Sequence, residues 1–130
     1  MMDQETVRVL GQLIDYGYGT SAAKVNSGVS TMRGKLAGDE LTLTYTTVFT
    51  YDKSKQDYLN QQLRALKMEA AEATDGFFGN VKQQFREMTG RTLRTEEVRR
   101  NDDVQMTSYN SMNTKATAYY RHYLVLRIES

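Results

Sequence analysis

The chain has 130 residues, 39% apolar and 25% charged, the make-up of one soluble globular domain rather than a disordered one. Seventeen basic side chains against sixteen acidic ones leave a net charge of +1, so any attraction for nucleic acid or an anionic surface has to be local. Cysteine is absent, which excludes disulfides, thiolate metal sites and a cysteine nucleophile, and suits a reducing compartment.

Proline is absent too, so every backbone amide is free to join a ladder or a helix. Met1 to Glu5 are polar and acidic, with neither a basic nor an apolar run, so no secretory signal is expected. Nothing approaches the roughly 18 consecutive apolar residues of a membrane span. The expected setting is the cytoplasm, or a virion, for a single domain over residues 1–130.

Residues Asp3 to Tyr16 carry Val7, Leu10 and Ile14 in steps of three and four, with Leu13 beside them. This predicts an amphipathic helix with Asp3 as its cap. The small, polar stretch Thr20 to Gly28 reads as a connector. Val29 to Leu36 is then expected to pair with Leu41 to Tyr51 across the turn Ala37-Gly38-Asp39-Glu40. The second of these strands is the clearest in the chain. Leu41, Leu43, Tyr45 and Phe49 fall on one face with Thr47, and Thr42, Thr44, Thr46 and Thr50 on the other with Val48.

Lys53 to Gly90 is the organising stretch. Leu59, Leu63, Leu66, Ala70, Ala73 and Phe77 form one helical stripe, and Phe78, Val81, Phe85 and Met88 resume it. Asp52 or Ser54 is the expected cap, Asp57 suits the positive end of the helix dipole, and Gly90 the far end. Gly76 and Gly79 each cost roughly 1 kcal/mol in a helix interior, so a break near residues 75–79 is expected, as a kink or a turn. Arg91 to Asp103 is dense in charge and reads as a mobile or partly helical connector. A second hairpin follows, Val104 to Tyr109 with Ala116 to Glu129, across Asn110-Ser111-Met112-Asn113-Thr114. The expected architecture is α+β: an N-terminal helix, two hairpins forming an antiparallel sheet, and the long central helix packed on one face.

Few residues offer chemistry. His122 is the single histidine and shares its strand face with Leu124, Leu126 and Ile128, which makes it a structural, hydrogen-bonded residue rather than a base or ligand. Gly17-Tyr18-Gly19-Thr20-Ser21-Ala22 has the letters of a dinucleotide-binding turn, but a helix precedes it where that turn requires a strand. The acidic pairs Asp39-Glu40, Glu96-Glu97 and Asp102-Asp103 read as solvated residues, not a cation site. No catalytic, cofactor or metal residue is expected.

Two surfaces stand out. Tyr119, Arg121, Tyr123 and Arg127 interleave rings and cations on the outer face of the last strand, extended by the threonine-rich neighbour. That combination serves single-stranded nucleic acid, and equally a protein interface. Phe77 and Phe78 point about 100° apart on a helix, so one of them is the expected spare surface for self-association. The leading expectation is a non-enzymatic protein that self-associates or docks in a larger assembly, of a kind that suits a phage or mobile element. A single-stranded nucleic-acid-binding module is the alternative.

Overall fold

The computed structural model describes residues 2–16, 19–22, 29–108 and 114–129. Its elements are α1 (Gln4–Tyr16), β1 (Gly19–Ala22), β2 (Val29–Ala37), β3 (Glu40–Asp52), α2 (Gln56–Thr89), β4 (Arg94–Ser108) and β5 (Lys115–Glu129). The strands form one antiparallel sheet in the order β1-β2-β3-β5-β4. The α+β class expected from the sequence is the one observed.

Alternation builds the sheet. Leu41, Leu43, Tyr45, Thr47 and Phe49 of β3 are buried, as are Ala118, Tyr120, His122, Leu124, Leu126 and Ile128 of β5. These two strands lie antiparallel with Tyr45 opposite His122 and Leu43 opposite Leu124. In the first hairpin Leu36 faces Leu41 and Ala37 faces Glu40, and Gly38 takes the positive φ of 63° that its tight turn requires.

Both helices cover the same face. α1 is capped as expected: Asp3 Oδ1 accepts from the Thr6 N–H at 2.8 Å. That bond, with Arg91 as a second donor, holds the Asp3 carboxyl down at about 2. Arg91 thereby ties the start of α1 to the segment after α2, at 3.2 Å from Asp3. α1 contributes Val9, Leu10, Leu13 and Ile14 to a core shared with Leu41, Leu43, Val81, Phe85, Leu93, Leu124, Leu126 and Ile128. The first half of α2 buries Leu59, Leu66 and Ala70 against a second cluster with Met32, Tyr45, Phe49, Ala118 and Tyr120.

Four expectations are corrected. α2 is unbroken through residues 75–79, running 34 residues. Gly76 and Gly79 lie on its exposed side, while Thr74, Val81 and Phe85 keep the buried stripe in phase across them. The glycine cost is met by continuous burial beneath, and Thr74 Oγ1 closes onto the Ala70 carbonyl at 3.0 Å. Secondly, residues 94–103, expected as part of a connector, are strand continuous with the expected strand from Val104. Their weak β propensity is overridden by full-length pairing with β5 and by ion pairs to α2. Thirdly, Gly19–Ala22 adds a short strand beside β2. The rest of the expected connector, residues 23–28, and most of the second hairpin turn, residues 109–113, lie outside the described residues.

Lastly, the residue preceding α2 is Lys55, which makes no side-chain cap; Asp52 instead accepts from the Ser54 N–H and hydroxyl. Gly90 does end the helix in the left-handed conformation at φ 72°, its N–H bonded to the Arg86 carbonyl at 2.8 Å.

The three interior glycines predict opposite outcomes. A Cβ at Gly76 or Gly79 meets nothing within 4 Å, so alanine at either raises stability by about 0.5–1 kcal/mol in chemical denaturation. A Cβ at Gly34 would lie 2.9 Å from Ile14 Cγ2, where α1 crosses β2, and Gly34→Ala lowers stability by about 1–3 kcal/mol.

Candidate nucleic-acid interface

With both helices on one face, no described residue covers the other. Register fixes what that open face carries. Its central rows, read across β2, β3, β5 and β4, are Lys35–Thr42–Val125–Arg99, Arg33–Thr44–Tyr123–Asn101 and Thr31–Thr46–Arg121–Asp103. These rows hold four cations and a single acid, Asp103. The next row, Val29–Val48–Tyr119–Gln105, is uncharged, with Val29 56% and Tyr119 40% exposed. A chain with a net charge of +1 thus concentrates positive charge at the middle of its one uncovered sheet face.

Of the four residues expected to form a binding face, the structure assembles three. Arg121 Nη1 donates to the Tyr123 hydroxyl at 2.8 Å and its guanidinium carbon lies 5.8 Å from the ring centroid. The bond to Tyr123 raises the Arg121 pKa above its ordinary value, so this cation is permanent. Tyr119 and Tyr123 stand four residues apart on one strand, about 13 Å. Arg127 shares the face but is held between Glu40 and Glu96, each at 3.8 Å, beyond the basic centre. Arg33 and Lys35, which the sequence reading passed over, complete the patch. The alternation Met32-Arg33-Gly34-Lys35-Leu36, set in register by Leu36 opposite Leu41, was the signal for them.

A groove of about 470 Å³ runs between Arg33 and Arg121, floored by Thr31, Thr44 and Thr46. Hydroxyls, guanidinium groups and flanking rings are the donors and stacking surfaces that phosphates and bases use.

Phe77 and Phe78 lie elsewhere, on α2 and on the opposite face of the sheet. Both are half-buried: Phe77 packs against the two apolar clusters, and Phe78 against the one that includes α1. They straddle the buried stripe, one on each side. The most exposed apolar side chains of α2 are Met68 at 69% and Met88 at 53%.

Beneath the sheet, His122 is buried and hydrogen-bonded. Its Nδ1 lies 2.6 Å from Asp102 Oδ1, which also accepts from the Tyr120 hydroxyl at 2.8 Å, and Lys67 of α2 stands 3.8 Å from Oδ2. A proton on Nδ1 donated to Asp102 leaves the buried His122 Nε2 as a bare acceptor, without a partner among the described residues. Tyr45 makes a parallel contact, donating to Glu69 Oε1 at 2.7 Å. Burial, followed by the bonds to acids, raises the Tyr45 and Tyr120 hydroxyl pKa values. The groups link β3, β4 and β5 to α2. Among the described residues no cluster of acidic or histidine side chains is arranged to hold a metal ion, and no helix is long and apolar enough to cross a membrane.

No protein-family model, no curated protein and no solved structure matches the chain.

The Asp102 cluster predicts acid sensitivity. Burial acts to raise the Asp102 pKa, but the bonds from His122 and Tyr120, with the charge of Lys67, outweigh it, so the folded value is depressed. Its stabilisation is therefore full above the ordinary carboxylate value of 3.8 and is lost as pH falls through the lower folded value. Asp102→Ala should cost about 1–3 kcal/mol at neutral pH by leaving two buried donors unpaired. Urea midpoints should show the gap to the unmodified protein narrowing below about pH 4.

Proposed function

We propose that the protein is a non-enzymatic binding module that holds single-stranded nucleic acid on the open face of its sheet. One observation carries this reading: four cations and two tyrosines converge in adjacent cross-strand rows, with one acid among them. Bases stack on Tyr119 and Tyr123, while Arg33, Lys35, Arg99 and Arg121 neutralise phosphates between and beside them. An extended single strand matches the roughly 13 Å between the rings better than a rigid duplex, because its bases can splay to meet them.

A second reading keeps the leading expectation from the sequence, docking or self-association. It is favoured by the exposed apolar row Val29–Val48–Tyr119 and by Met68 at 69% exposure. A strictly monomeric protein in light scattering at high concentration counts against it.

Charge and aromatic substitutions separate the components of the nucleic-acid reading. In a salt titration with an unstructured oligonucleotide, Arg33→Ala with Lys35→Ala should make the negative slope of log K against log salt shallower by about 1.4. Tyr119→Ala with Tyr123→Ala should weaken binding by about 10- to 100-fold with the slope unchanged. If both pairs leave affinity and slope unaltered, the open face is not the binding surface.

A further inference from the structure

β4 is the last strand of the sheet, bonded to β5 on one side and to no described strand on the other. Fifteen residues of free edge invite a second strand, and natural sheets normally blunt such edges with charge. The charges of β4 are ordered in a way that simple blunting does not need. Residues 99 to 103 read Arg-Arg-Asn-Asp-Asp, positive on one side of Asn101 and negative on the other.

We infer that this edge pairs with the same edge of a second copy of the chain, antiparallel, about a two-fold axis at Asn101. In that register Arg99 faces Asp103 of the second copy and Arg100 faces its Asp102, each contact occurring twice by symmetry, and Asn101 faces Asn101 on the axis. The faces agree as well. Arg99, Asn101 and Asp103 stand opposite Val125, Tyr123 and Arg121 on the open face, and Arg100 and Asp102 on the helix-covered face. The irregularity between Glu97 and Arg99 lies outside this five-residue segment, so its alternation is intact. Moving the axis one residue, to Arg100 or to Asp102, keeps the faces matched but sets Arg100 against Arg100 or Asp102 against Asp102, and both opposite-charge pairs are lost. Moving it two residues, to Asp103, sets Arg99 against Thr107 and Asp102 against Val104, and every opposite-charge pair is lost.

Side chains at the edge are set for such pairing. Arg99 is exposed and makes no ion pair or hydrogen bond in its own chain among the described residues. Arg100 and Asp102 are already engaged in their own chain, Arg100 by Asp75 at 2.9 Å and Glu97 at 3.4 Å, and Asp102 by His122, Tyr120 and Lys67. Arg99 opposite Asp103 is therefore the main charge contact of the pairing. The Asp102 N–H is covered at 2.9 Å by the Asn101 side-chain oxygen, which holds that amide until a strand replaces it. The pairing does not depend on the nucleic-acid reading. It would join two sheets with their basic faces on the same side.

The chain lacks cysteine, so one introduced thiol reports the register cleanly. Residues facing each other across antiparallel strands have Cα atoms about 4.5–5.5 Å apart, within disulfide range. In a glutathione redox buffer without nucleic acid, Asn101→Cys should form a covalent dimer at least about tenfold faster than Gln105→Cys, an exposed position on the same strand face. Adding Arg99→Asp to Asn101→Cys sets acid against acid and should remove that advantage. Further adding Asp103→Arg reverses both charges and should restore it. Equal cross-linking at positions 101 and 105, or a rate indifferent to the charge reversal, overturns the proposal. Thermal melts of each variant confirm that the fold is retained.

Discussion

The pairing of β3 with β5 is the constraint on which the rest of the structure depends. It runs from Glu40 opposite Arg127 to Asp52 opposite Lys115 without a break. Because side chains alternate along a strand, this one register decides the fate of both faces. It sends Leu43, Tyr45, Leu124 and His122 towards the helices, and Thr44, Thr46, Arg121 and Tyr123 away from them. A slip by one residue would bury Arg121 and expose Leu124. Two apolar faces in phase are what hold the register. α2, about 50 Å long at 34 residues, then spans the length of the 15-residue strands and covers both core clusters.

The elements legible in the sequence are those whose local pattern and tertiary role agree. β3 and β5 alternate cleanly, the first hairpin has a glycine where its turn needs one, and α1 has Asp3 where a cap belongs. The elements that were not legible have weak local signals and strong partners. β4 is half charged, and its strand character comes from β5 and from the ion pairs Arg100–Asp75 and Lys67–Asp102, none of which is visible in a linear pattern. β1 is four small or polar residues lying along β2. The expected break in α2 failed for a related reason. Propensity charges both glycines against the helix, whereas burial of Thr74, Val81 and Phe85 on the opposite side fixes its course.

The candidate site was half legible for the same reason. Tyr119, Arg121 and Tyr123 lie on one strand, so their common face follows from alternation alone. Arg33, Lys35 and Arg99 join them only through the sheet order β2-β3-β5-β4, which brings together residues far apart in sequence. Arg127 shows the converse. Its alternation is right, but Glu40 and Glu96 converge on it from the two neighbouring strands. Counting charge along the chain gives near neutrality; counting it across the sheet gives a basic centre and a mixed margin.

β5 also ties the two faces together. Successive residues Tyr120, Arg121, His122 and Tyr123 point in, out, in and out. The inward pair anchors Asp102 of β4, and the outward pair forms the Arg121–Tyr123 contact at the middle of the open face. Asp102 is half-buried among donors on one side of β4, while its neighbour Asp103 is set opposite Arg121 on the other. The polar cluster beneath the sheet therefore has a consequence above it. By fixing β4 against β5 at this row, it fixes where Arg99, Asn101 and Asp103 stand relative to Arg121 and Tyr123, and hence the shape of the charged surface.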